Sequence, residues 1–501
     1  MSFILDKNIL LSDFTRLKEA ANHYIRKRKY ELAIKMIEFA SELMYNYNVI
    51  LHDDEIEHQI QKISRDIFSE DKARILISAR SERIVFYDFF GLDFRGLTQQ
   101  YLSALFSLGY EVLYVVHSDR DSKRMSVILS ELRNYPKAKI HYLSSNSELG
   151  VAKDLLDTVV RFQAKKMLIH TAPWDVPVFL VSRLISSQVE TFLINITDHA
   201  FWIGKSMIDY LIEFRNQGYN ISRSYRAINP TKIFLLPYYP VIDFNVRFEG
   251  FPFCSNNKKV IFSGGALTKI YGSSAYFNLV NKILQYHKNI IILYAGNGDE
   301  KYLINFIKQN GLNDRFFYIK ERKDISQIMK RCVFFLNTFP ISGGLLAQYA
   351  VKCGKIPLGL KNEYFKIYNF ETVLLGVEGN QFCFSSEKAI LSEIEKLLYD
   401  DSYRKKKELS LKKSVISPND FEKALGGILE NKASSFITYD EEIDLTGTED
   451  IYFDLENKVL KIYRSRFLKK RNIYLSVLFP NYFVNGIISK GTKRINELAK
   501  K

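Results

Sequence analysis

"RIVFYDFFGLDFRGLTQQYLSALFSLGYEVLYVVHS", residues 83–118, is the stretch that decides the fold. "RIVFYDF" is an apolar run that ends at a glycine-bearing loop, the pattern of a strand buried on both faces. "GLDFRGLTQQYLSALFSLGY" reads as a loop and a helix, and "EVLYVVHS" as a strand again. Working outward, "KAKIHYLSS", "KKMLIHTAP" and "VETFLINITDHA" are further strands, each after a helix-like segment. Strands alternating with helices predict a parallel sheet wound on both faces.

The same texture restarts after "LLPYYPVIDFNVRFEGFPFCSNN", an irregular linker near 237–258. "KKVIFSGGA", "KNIIILYAGNGD", "DRFFYIKER", "RCVFFLNTFP" and "KIPLGL" form a second set of strands, and residues 386–414 supply closing helices. The expected fold class is α/β, with two Rossmann-like domains in series at 71–240 and 255–432. Ligands of such sheets bind beyond the carboxyl ends of the strands, and the cleft between two facing domains is the expected site. Residues 1–70 read as a helical N-terminal cap. Its Ala20, Ala33 and Ala40 allow a close hairpin of the tetratricopeptide type, present in one copy. Residues 433–501 read as a basic, aromatic C-terminal extension. There Arg464, Arg466, Lys469, Lys470 and Arg471 flank an apolar stretch suited to an anionic surface.

Bulk composition narrows the function. A chain of 501 residues exceeds what one core usually supports. Its 47% hydrophobic and 25% charged content is that of an ordinary globular protein. The net charge of +15 favours anionic partners, and the lack of a reading motif disfavours nucleic acid. Cys254, Cys332, Cys353 and Cys383 are widely spaced, with no Cys-x-x-Cys pair, against zinc and a disulfide framework. No His/Asp cluster has metal-ligand spacing, and no Walker loop, Gly-x-Ser-x-Gly elbow or His-Glu-x-x-His is present. "MSFILDKNILLSDF" is no signal peptide, and no run reaches the ~18 apolar residues of a membrane span. The expected location is cytoplasmic, peripheral at the inner face of the cell membrane.

"NTFPISGGLLAQYAVKCG", residues 337–354, joins a strand to a fresh helix through paired glycines. Helix-start amides lack internal partners and carry the positive end of the dipole, so glycines there admit a phosphate. In the first half, Asp198, His199 and Trp202 follow a strand directly, as do His170 and Trp174. Histidine suits proton transfer near neutrality, and aromatic faces beside polar groups suit sugar rings. His199 with Asp198 is the first candidate for catalysis.

"VIFSGGALTKIYG", "IIILYAGNGDE" and "FFLNTFPISGGLLAQYAVKCGKIPL" together resemble the nucleotide-binding half of a GT-B glycosyltransferase. Residues 87–115 resemble the first strand-loop-helix of its acceptor half. The motifs are most similar to the O-linked N-acetylglucosamine transferase and SPINDLY-like group and to bacterial polysaccharide glycosyltransferases. The resemblance implies transfer of a sugar from a nucleoside diphosphate donor, a UDP-sugar, to a saccharide or lipid-linked acceptor in cell-surface polysaccharide synthesis. It implies no cofactor and no metal. A catalytically silent subunit that binds a partner enzyme or protein acceptor, a protein O-glycosyltransferase, and a UDP-sugar 2-epimerase are the alternatives.

By that resemblance Ser342, Gly343, Gly344, Leu345 and Leu346 cradle the donor diphosphate, with Leu345 and Leu346 replacing a Thr-Thr pair. Lys269 takes the phosphate-binding lysine position, while the arginine position falls on Gly264 or Gly265. Gln348 or Tyr349 stands near the ribose position, where many retaining members carry a glutamate. Lys320 and Arg322 line the base-holding loop, and Arg322 is a candidate for the missing phosphate charge. In the first domain the resemblance turns the loop of Asp88, Arg95 and Gly96 toward the cleft and the acceptor, while His170, Trp174 and Trp202 are acceptor candidates from their own residue types in strand-to-helix loops. Asp88 is the second choice of base.

Overall fold

The structure is a computed structural model that describes residues 7–69, 77–93, 97–118, 122–255, 257–271, 273–362, 369–377, 379 and 381–459. The chain forms two compact units. One comprises residues up to Leu236 with Ala424–Glu441 and the chain from Thr448 onward; the other comprises Pro237–Lys423 with Glu442–Gly447.

The first unit is built on seven strands: β1 Arg80–Asp88, β2 Glu111–His117, β3 Ala138–Leu143, β4 Ala164–His170, β5 Glu190–Ile194, β6 Tyr210–Glu213 and β7 Ile233–Leu235. All pairings are parallel, in the order β3-β2-β1-β4-β5-β6-β7. This is the doubly wound arrangement that the sequence predicts, extended by two short strands. β6 and β7 escaped the reading because a long aromatic loop precedes one and a Pro230–Lys232 turn compresses the other.

Helices α1 Lys7–Arg26, α2 Tyr30–Tyr47 and α3 Asp54–Ile67 open this unit. A third helix thus joins the predicted hairpin. Their apolar stripes share one core with the sheet and with α6 Glu148–Phe162 and α7 Val176–Ile185 (α4 Thr98–Ser107 and α5 Ser126–Asn134 come between). Each fully buried Leu, Ile or Phe there contributes about 1.5–3 kcal/mol. Polar joints fix the contact. Glu31 of α2 accepts the amides of Glu148 and Leu149 at the start of α6. Glu57 of α3 accepts the amides of Gly204 and Ser206, at 2.6 and 3.0 Å. A further helix, α8 Asn216–Ser224, follows β6.

The second unit carries β8 Lys259–Gly264, β9 Ile290–Ala295, β10 Phe316–Ile319, β11 Phe335–Leu336, β12 Pro357–Leu360 and β13 Cys383–Phe384. They form a six-stranded parallel sheet in the order β10-β9-β8-β11-β12-β13. α9 Ala275–Tyr286, α10 Lys301–Gln309, α11 Ile325–Arg331 and α12 Gly344–Lys352 alternate with the strands. α13 Glu387–Tyr399 and α14 Asp401–Ser410 follow, and α15 Pro418–Asn431 carries the chain back to the first unit before α16 Thr448–Val459. The linker is not loose: Phe248, Phe251, Phe253 and Phe317 of β10 pack as a ladder with ring centroids 4.6–5.1 Å apart. The basic run at 464–471, where the sequence reading puts an anionic surface contact, lies outside the described residues, as do Arg95 and Gly96.

Candidate functional site

In the second unit, two strand ends deliver the groups the sequence singled out. β8 runs into Gly264 and Gly265, then a short turn of helix, Leu267–Ile270, that carries Lys269. β11 runs into Asn337, whose side chain folds the next six residues back on themselves. Its Oδ1 accepts the amides of Thr338 and Gly343, at 2.8 and 2.7 Å, and its Nδ2 donates to the Gly343 carbonyl. Thr338 Oγ1 closes the loop on the Ile341 carbonyl at 2.7 Å. α12 then starts at Gly344 with Gly343 as an N-cap that offers no side chain. The amides of Gly344, Leu345 and Leu346 have no acceptor among the described residues.

Lys269 lies against this helix start. Its Nζ donates to the Ser342 carbonyl at 3.2 Å, and the Ile341 amide donates to the Lys269 carbonyl. A Cβ on Gly343 would stand 3.8 Å from that Nζ, and one on Gly265 would stand 3.7 Å from the lysine Cδ. Gly265 also has φ +131°, a backbone conformation that L side chains rarely adopt. The lysine is half-buried and forms no ion pair among the described residues. Burial draws its ammonium down to about 8. An ammonium has three N–H donors, and a single carbonyl uses one of them.

Other candidates are engaged elsewhere. Gly264 serves packing, since a Cβ there would meet the Ala295 carbonyl oxygen at 2.7 Å. Arg322 is held by Asp324 at 2.8 Å and donates to the Gly250 carbonyl at 2.7 Å, so it pins the linker and supplies no free phosphate charge. Lys320 is exposed, with nothing tying it to Lys269. Gln348 is buried, and its Nε2 donates to the carbonyls of Tyr238 and Val373. Its Oε1 has no partner among the described residues. It braces the helix from behind, which removes its amide from ribose binding.

In the first unit, the β1/β4 register sets Asp88 beside His170 at the carboxyl edge of the sheet. His170 Nδ1 lies 3.0 Å from Asp88 Oδ1. Thr98, Tyr114 and the Phe90 amide also donate to this carboxylate. Burial favours its neutral form, but these donors and His170 hold the pKa below the ordinary value. Asp88 is therefore saturated with hydrogen bonds and is not free to act as a base. His170 is fully buried, and its Nε2 has no partner among the described residues.

A second pair sits after β5. His199 Nδ1 lies 2.9 Å from Asp198 Oδ1, and Arg215 grips the same carboxylate through Nε at 2.5 Å and Nη2 at 3.0 Å. Burial would raise Asp198, but Arg215 and His199 overrule it and hold the carboxyl well below the usual range. The His199 side chain stays 23% exposed while Asp198 is 0% exposed. Glu213, beneath the pair, is pushed up to about 7 by burial and by Asp198. The Asn48 side-chain Nδ2 donates to the His199 carbonyl at 2.9 Å, so the end of α2 and α3 together clamp the 199–206 loop.

Two aromatic candidates are used internally. Trp202 is buried with the Arg226 guanidinium 5.1 Å above its ring, so that face is closed to a sugar. Trp174 packs on Tyr45 at 5.3 Å. Arg215 and Glu213 were missed from sequence; the signal was a Glu-Phe-Arg sequence at the end of an apolar run. Among the described residues no cluster of three His, Cys, Asp or Glu side chains is placed to hold a metal, and no helix is long and apolar enough to cross a membrane.

No family model matches the chain, and no curated protein matches it in sequence. Solved structures do resemble it. HepE from Anabaena, crystallised with UDP and glucose, is 13% identical with a TM-score of 0.53, over 70% of this chain and 99% of its own. A glycosyltransferase from Rickettsia africae is 13% identical with a TM-score of 0.55, over 70% of this chain and 98% of its own. The chain shares their GT-B fold of two parallel α/β units.

Proposed function

We propose that the chain is a metal-independent GT-B glycosyltransferase that moves a sugar from a UDP-sugar to a saccharide or lipid-linked acceptor in cell-surface polysaccharide synthesis. One observation carries the reading: Lys269, a half-buried ammonium with no carboxylate partner among the described residues, beside the uncapped start of α12. A desolvated cation and bare helix amides at one point are complementary to a diphosphate. The UDP bound to HepE on the same fold supports the choice of nucleotide.

In this reading Ser342–Leu346 hold the diphosphate through backbone amides. As the sugar bond breaks, charge grows on the leaving UDP, and Lys269 and the helix start stabilise it there. Asp198 fixes His199 with Nδ1–H toward the carboxylate, which leaves Nε2 with the lone pair to take a proton from the acceptor hydroxyl. Arg215 keeps Asp198 ionised, so the imidazolium formed is stabilised in turn. His170 and Trp174 remain acceptor-side candidates. The enzyme works at the cytoplasmic, anionic face of the membrane that carries its acceptor.

The test is a thermal-shift screen with UDP, GDP, CDP and dTDP, followed by UDP release from a panel of UDP-sugars. A selective shift with UDP and measurable turnover are expected, since a ligand stabilises by mass action. No shift with any nucleotide overturns the donor assignment. A shift without turnover on any sugar favours the silent, partner-binding subunit instead.

A further inference from the structure

We infer that α14 is a contact surface for an anionic lipid bilayer. Asp401–Ser410 is a helix with no buried residue. Residues 404–413 hold Arg404, Lys405, Lys406, Lys407, Lys412 and Lys413 against a single acid, Glu408. The side toward the unit is tied down. Tyr403 and Lys407 bind Glu393, at 2.9 and 2.5 Å, and Arg404 reaches the Leu397 carbonyl and Asp401, at 2.8 and 2.7 Å. Leu411, Ser414 and Val415, just beyond the helix, are buried and anchor its end.

What remains outward is a predominantly basic face, with Asp401 at its edge paired to Arg404. Lys405, Lys406, Lys412 and Lys413 are exposed, and none forms an ion pair among the described residues, where this stretch pairs only Arg404 and Lys407. Positions 402, 405, 406 and 409 recur at three- and four-residue spacing, so they share that face. Leu409 stands among the lysines and is 69% exposed. A solvated charge run has no use for a leucine at its centre. A headgroup layer does: the lysines meet lipid phosphates and carboxylates while the leucine enters the acyl boundary. Nucleic acid fits less well, because stacking needs a free aromatic ring and Tyr403 is turned inward onto Glu393.

This places on α14 the membrane contact of the reading above, but it does not depend on glycosyl transfer. The experiment is co-sedimentation of the full chain with vesicles of phosphatidylcholine alone and of phosphatidylcholine with phosphatidylserine, with no nucleotide present. Binding is expected only to the second kind, weakening as salt is raised. The variant K405E/K406E/K412E/K413E should lose partitioning by on the order of a hundredfold, with an unchanged melting curve. L409S should lose it severalfold, and charge reversal at Lys469, Lys470 and Arg471 should leave most of it. If the α14 variant binds like the parent, or only the tail variant loses binding, the surface assignment fails. If the parent binds no anionic vesicle, or prefers single-stranded RNA to vesicles, the membrane contact itself fails.

Discussion

The carboxyl edges of the two sheets treat charge in opposite ways. In the first unit, Asp88 has His170, Thr98 and Tyr114, and Asp198 has His199 and Arg215. Both of these buried aspartates are met by donors and a ring nitrogen or a guanidinium. In the second unit, Lys269 sits half-buried beside three bare amides of α12, with one carbonyl for company. Neutralised networks build rigid geometry and leave little attraction for an ionic ligand. An unneutralised cation at a helix start is a standing attraction for an anion. The difference supports the proposal that the diphosphate binds in the second unit and that acceptor chemistry belongs to the partly exposed His199 of the first.

The sharpest way to break the comparison is to unbalance the network. Asp198→Ala leaves Arg215 buried without its anion and should cost about 3–5 kcal/mol in urea unfolding. If the loss is small, the network is not the neutralised frame described. Gly265→Ala comes next. Its φ of +131° strains any Cβ, so a loss of about 1–3 kcal/mol is expected in the same assay.

Lys269→Met should behave in the opposite sense, with stability held or raised within about 0.5 kcal/mol, because nothing anionic loses its partner. pH sharpens this. Burial lowers the Lys269 pKa from 10.5 to about 8 in the folded chain. Between those values the unfolded chain binds more proton, so stability rises with pH through that window, and the rise should vanish in the Met variant. Nucleotide affinity should run the other way and fall as pH passes about 8.

Glu213 gives the smallest effect. Its pKa rises from 4.5 to about 7 on folding, so the folded chain holds the extra proton between those values. Stability therefore falls with increasing pH across that range. Glu213→Gln should flatten that fall, measured as melting temperature against pH, and a parallel pair of curves would contradict it.

The sheets were legible because long apolar strands alternating with helices leave few other arrangements. β6, β7 and β13 were not, since two to four residues carry no period. Within the candidate site, the glycine pairs and Lys269 stood out in the sequence because strand-to-helix turns need particular residues at particular places, and the structure sets Lys269 beside Gly265 and Gly343. The fates of Arg322, Gln348 and Trp202 could not. Whether a polar side chain faces a ligand or a neighbouring carbonyl is decided by tertiary contacts: Arg322 found Asp324, Gln348 found Tyr238, and Trp202 found Arg226. Arg215 lies 17 residues from Asp198, and no local pattern joins them.

The most direct measurement is calorimetric titration of UDP into the parent chain and the Lys269→Met variant at neutral pH. The account predicts saturable binding by the parent and a loss of at least about tenfold in the variant, the scale of one charge-assisted hydrogen bond. Equal affinity in the two proteins, or no UDP binding by the parent, would contradict it.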